Sequence, residues 1–225
     1  MTWKTVAVGL LAAALVVGCG GAKKEETQPT AAAPAQAGAP AANSGAAAAA
    51  DGKFTVSGAE SSAQYSVKEK FANQELPNTA VGKTSAVTGE LVLEKGALKP
   101  SKVTVDLKTL KSDQAKRDNA LQNRGLEIAK YPTAEFTIIG IDGAPPAWAE
   151  GQEATFKLKG TLKVHGVEKE IAWDAKGKLQ GGALLLDATI KFALTDFKIE
   201  PPSVLGMLTV DDNVQLDVHL VAKKG

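Results

Sequence analysis

From Thr155 to Ala175 the chain reads TFKLKGTLKVHGVEKEIAWDA, with large apolar side chains recurring at every second position. Phe156, Leu158, Leu162 and Val164 alternate with Lys157, Lys159, Thr161, Lys163 and His165. A period of two belongs to a strand, whose successive side chains leave opposite faces, whereas a helix would need 3.6. One face is therefore wet, and the other must be covered. After His165-Gly166 the alternation resumes through Val167, Ile171 and Trp173. Two turn residues ending in glycine suit a tight reversal, because glycine accepts a positive φ without a Cβ clash. The stretch predicts a hairpin with one long apolar face.

The same pattern returns along the chain. Residues 62–71 put Tyr65, Val67 and Phe71 on one face together with Glu69, and 87–94, 103–107, 136–141, 183–194 and 214–220 each alternate in turn. With the hairpin counted as two, eight strands follow one another. Turn residues such as Gly151 and Gly181-Gly182 separate them. So many short alternating segments indicate an all-β antiparallel barrel or sandwich and exclude an α/β sheet. Only 112–130 breaks the period. It is rich in helix formers, with Ser112 placed as N-cap and Asp113 in the first turn. Gly125 divides it and Pro132 closes it. One or two short helices are expected there, with Ala115, Leu121, Leu126 and Ile128 facing the sheet.

The inward face carries Phe136, Ile138, Phe156, Leu158, Leu162, Val164, Ile171, Trp173, Leu184, Leu186, Ile190, Phe192, Leu216 and Val218. Alternation identifies such a face without saying what fills it. These side chains can meet in a dry core, or they can leave a space.

Ahead of the strands the chain differs in kind. Lys4 and an apolar run from Val6 to Val17 have the form of a signal peptide over residues 1–18. The run is too short for a membrane span, which takes about 20 residues. It closes on Val-Val-Gly-Cys19, which resembles the lipobox of bacterial lipoproteins, so Cys19, the chain's single cysteine, is expected to carry an N-terminal lipid anchor. Internal disulfides are excluded with it. Residues 20–50 hold 14 Ala and three Pro with no large apolar residue. Such a segment has nothing to bury and reads as a tether reaching on the order of 30 Å.

Residues 51–225 make one domain by length. Of 26 basic and 25 acidic residues, Lys4, Lys23, Lys24, Glu25 and Glu26 lie outside it, leaving 23 of each sign. A neutral domain argues against nucleic acid as a partner. No GxSxG, HExxH or phosphate-loop motif is present, and His165 and His219 have no metal-ligand spacing. Neither an enzyme, a metal nor a cofactor is expected.

Four stretches, in order, carry a resemblance. They are RDNAL (117–121), KYPTAEF (130–136), GTLKVHGVEK (160–169) and TDFKI (195–199). Together they resemble the YceI-like family of bacterial envelope proteins, the polyisoprenoid-binding, lipocalin-like barrels. The resemblance implies an extended eight-stranded antiparallel barrel around a long apolar cavity for an isoprenoid or quinone-like chain, without catalysis. The fourteen inward residues would then line the cavity; Arg117-Asp118 reads as a structural ion pair or a helix-to-barrel hydrogen-bonding group, and in a functional role Arg117 would be the natural contact for a polar head group at the mouth. Many family members carry an aromatic-rich first strand with a histidine, followed by a glycine with an aromatic close behind it. Here that region holds Lys68, Glu69 and Lys70, a departure that leaves the head group open. The expectation is an exported protein, lipid-anchored to an envelope membrane and facing the periplasm or the outside. It would sequester or carry a long apolar lipid. The rival is a filled, non-catalytic module that contacts an unidentified protein, with Trp148 in its Pro145-Pro146 loop as one possible contact.

Overall fold

The computed structural model describes residues 51–225 apart from Gly96, Pro146 and Leu205. The signal peptide, Cys19 and the tether lie outside the described residues. Eight strands run antiparallel, each hydrogen-bonded to the next. Strand β1 has two segments, Gly52–Val56 and Ser62–Phe71, as has β2, Asn78–Thr84 and Val87–Glu94. Strand β3 comprises Ser101–Asp106 and Lys111–Ser112. Strands β4 (Thr133–Asp142), β5 (Glu153–Val164), β6 (Val167–Gln180), β7 (Ala183–Ala193) and β8 (Leu208–Lys224) complete the set. Strand β8 returns to both segments of β1, pairing Ala222 with Val56 and Val218 with Ala63. The sheet therefore closes into an up-and-down barrel.

The breaks in β1, β2 and β3 are neighbours across the sheet. In β1 the turn at 57–61 is stitched to β8, with Ser57 N donating to Val221 O (2.8 Å) and Val221 N to Ser61 Oγ (3.0 Å). In β3 a 3₁₀ turn, Leu107–Thr109, is capped by Asp106, whose carboxylate accepts from Lys108 N. This turn swings Leu107 and then Leu110 inward.

The hairpin forms as the alternation predicts. Val164 pairs with Val167, and His165 and Gly166 both take positive φ (52° and 73°), the two-residue turn whose twist matches that of the strands it joins. Ring packing holds the turn from outside, Tyr131 meeting His165 edge-on at 4.8 Å. His165 also contacts Phe197 O and Glu127.

The helical stretch is shorter than expected and starts later. α1 is Ala115–Ala120, followed by a wider turn over Leu121–Gly125. Ser112 is not its N-cap. Gln114 holds that position without a side-chain bond, while Ser112 ends β3 and donates both N–H and hydroxyl to buried Asp118. Ala115 is exposed, contrary to expectation, whereas Leu126 is buried and Leu121 and Ile128 pack partly against the core.

These elements give the barrel two different ends. The helix end carries the β1–β2 turn, α1, the His165-Gly166 turn and the segment between β7 and β8. At the terminal end, where β1 begins and β8 finishes, Phe54, Leu91, Leu93 and Leu184 are almost wholly buried. Trp148 joins them from the β4–β5 loop, edge-on to Phe156 at 5.5 Å and seated over Gly177, so it plugs this end instead of projecting from it. Burying each such side chain is worth about 1.5–3 kcal/mol, and the terminal end is thereby closed.

Candidate ligand cavity

Between the two ends the inward side chains do not meet. A cavity of about 120 Å³ remains in the middle of the barrel. Of the fourteen residues expected to line it, Phe136, Ile138, Leu158, Leu162, Trp173, Leu186, Leu216 and Val218 do so. The other six stand outside its lining. Phe156 and Leu184 are packed into the terminal end, while Val164, Ile171, Ile190 and Phe192 join the core on the helix side. Periodicity had marked the inward face of these strands, but a face continues above and below the space it borders.

The cavity wall also holds residues outside those fourteen, three of them alanines. Ala63, Ala134 and Ala188 line the cavity, together with Val103, Val105, Leu107, Leu110, Tyr65 and Leu220. The strand pairings explain the gathering: Ala63 and Ala188 both lie opposite Val218, from β1 and β7, and Ala134 lies opposite Val105. The space exists because short side chains converge there. An alternation search weighted toward large apolar residues passes over them.

The aromatic walls are seated by glycines. The ring of Tyr65 covers Gly82 on β2, where any Cβ would collide with it. Phe136 lies against Gly160 in the same manner and meets Trp173 edge-on at 5.7 Å. Three buried polar atoms lack a hydrogen-bond partner among the described residues: Tyr65 Oη, Trp173 Nε1 and Trp148 Nε1. Burial pushes the Tyr65 phenol up to about 12. Ser112 is near enough to offset this a little, but its hydroxyl is not in bonding geometry with Oη.

Towards the helix end the interior turns polar at one point. Glu69 shares the inward face of β1 with Tyr65 and Val67, and it is buried. Arg117 of α1 reaches it with two bonds, Nε to Oε1 at 2.9 Å and Nη2 to Oε2 at 2.8 Å. Nη1 donates to Ser112 Oγ and Asp113. The hydrogen bond to Glu69, and secondarily that to Asp113, holds Arg117 more firmly protonated than usual. A head group seeking Arg117 must compete with these partners, since each guanidinium nitrogen already donates to a protein oxygen. Lys68 and Lys70, flanking Glu69, are exposed on the outer face.

The YceI-like domain model matches residues 48–222, all of the barrel but the last two residues of β8. The chain belongs to the YceI-like family. Solved structures agree on the fold. BcnA of Burkholderia cenocepacia is 16% identical with a TM-score of 0.59, covering 75% of this chain and 99% of that one. A polyisoprenoid binding domain from Saccharophagus degradans, implicated in plant cell wall breakdown, is 14% identical with a TM-score of 0.61, covering 76% and 98%. None of the curated proteins compared with the chain matches it. In both, the matched region is almost the whole of the solved chain, so those two barrels stand without further domains.

Proposed function

We propose that this YceI-like domain binds a long apolar lipid, an isoprenoid or quinone-like molecule, in its central cavity. It sequesters or carries that lipid without catalysis, while a lipid on Cys19 holds it at an envelope membrane. The observation that carries this reading is a space left open inside a closed barrel and walled almost entirely by apolar side chains. Burying hydrocarbon there is favourable at about 25 cal/mol per Å². The family, and the polyisoprenoid named for the Saccharophagus relative, point to the same class of guest.

The size of the cavity adds a requirement. At about 120 Å³ it is near the engineered cavity of about 150 Å³ that takes up benzene, so it seats roughly one ring or one isoprene unit. A longer guest must displace half-buried side chains towards the helix end, where Tyr65, Ile190, Phe192 and Leu216 are less tightly packed than the terminal plug. Selectivity then comes from how far that region opens.

Organic extraction of the purified, unacylated domain followed by mass spectrometry tests the reading. A stoichiometric isoprenoid or quinone is the expected result. Adding such a lipid at about 100 times its Kd should raise stability by about 2.7 kcal/mol. A clean extract with no gain in melting temperature would leave the filled, non-carrying module in its place.

A further inference from the structure

The helix end of the barrel carries a feature that the cavity does not use. Leu76, in the β1–β2 turn, is 79% exposed, and Met207, just before β8, is 64% exposed. Their turns are joined, because Ala72 N donates to Met207 O (3.0 Å) and Phe71 pairs with Leu208. Two large apolar side chains thus project from adjacent turns into water.

Below them, on the outer face of β1, β2 and β3, stand four exposed lysines: Lys68, Lys70, Lys83 and Lys111. Lys83 lies directly opposite Lys111 across the β2–β3 pairing. Like charges in that relation repel. Many of the other strand lysines face carboxylates, as in Lys102–Glu135 and Lys163–Glu168, although Lys191 does not. Among the described residues none of these four forms an ion pair, and Lys68 feels only a longer-range attraction to Asp211. Asp211 on β8, Asp217 opposite Gln64, and Glu75 in the turn with Leu76 offset part of this charge. Apolar tips above unpaired cations match the layering of an anionic lipid surface, with acyl boundary outside and phosphates beneath. The first strand of the barrel begins at Gly52, on the opposite end.

We propose that this end docks the domain on an anionic membrane surface, with Leu76 and Met207 entering the interfacial layer and the lysines meeting lipid phosphates. Docking would place the softer end of the cavity against the bilayer. It goes beyond the carrier reading and does not require an occupied cavity.

The test is co-sedimentation of residues 51–225 with vesicles of phosphatidylcholine alone or mixed with phosphatidylglycerol. Binding to the phosphatidylglycerol vesicles, released by added salt, is expected. Leu76→Asp with Met207→Asp, and separately Lys83→Gln with Lys111→Gln, should each lower vesicle partition roughly tenfold or more. All four positions are exposed, so the variants should melt like the parent. Absence of binding to the phosphatidylglycerol vesicles, equal binding to phosphatidylcholine alone, or parental binding by both variants would overturn the proposal. The extraction experiment reads the cavity separately, so either idea can fail while the other stands.

Discussion

Tyr65 keeps a hydroxyl buried in the cavity wall without a hydrogen-bond partner among the described residues, and leaving such a group unsatisfied costs about 1–3 kcal/mol. Tyr65→Phe removes the oxygen while the ring keeps its seat over Gly82. We expect a more stable domain, by about 1 kcal/mol in denaturant unfolding; a loss of that size would mean that the hydroxyl has a partner, such as an ordered water. The raised pKa adds a pH signature. Burial favours the neutral phenol, so between the ordinary value of about 10 and the folded value of about 12 the unfolded chain releases its proton first. Stability is then fully present below pH 10 and falls as pH rises through that window, by on the order of 2 kcal/mol once residual solvent contact is allowed for. Tyr65→Phe should flatten that alkaline slope, and an unchanged slope would assign it elsewhere. The inward direction of Tyr65 was legible from the period of two. Its seat was not, because Asn78–Thr84 points Ala80, Gly82 and Thr84 inward and so carries no apolar signal.

Glu69 and Arg117 join two elements, the first strand and the only α-helix among the described residues. Both side chains are almost fully withdrawn from solvent, at 5% and 11% exposure. A charge left alone in such a place is expensive, and breaking one partner of a buried pair costs about 3–5 kcal/mol. Arg117→Met and Glu69→Leu should therefore each destabilise the domain by that order. The double variant should recover most of the loss, because an apolar pair of similar volume leaves no uncompensated charge. Additive losses in a double-mutant cycle would show that the two groups are not coupled. Sequence reasoning placed Glu69 on the apolar face without finding its partner, since a cross-chain pair leaves no local period. The hairpin, by contrast, was readable in full, because its turn chemistry and both flanking alternations are contiguous. The segment Gly52–Val56 was missed for its brevity, and the helix start was misplaced because the Ser112 hydroxyl serves Asp118 instead of the helix backbone.

For the whole molecule, the question is why an eight-stranded barrel of this size is hollow in the middle and solid at one end. Its interior is just wide enough for side chains to fill or for one small guest, so the choice falls to residue volume at each level. Phe54, Leu91, Leu93, Leu184 and Trp148 fill the terminal end; Ala63, Ala134 and Ala188 leave the centre open. That account makes the hollow removable. Ala188→Leu adds three carbons on β7 at the cavity wall, into space and not into neighbours. It should fold normally and melt no lower than the parent, because filling a void recovers lost contacts. It should also lose the lipid-induced gain in melting temperature and emerge from organic extraction without a stoichiometric lipid. A small-to-large change in a packed core instead costs about 1–3 kcal/mol, so destabilisation on that scale would mean the space is not available to a side chain. Unchanged lipid uptake by a stable Ala188→Leu domain would place the guest outside this cavity and end the carrier reading.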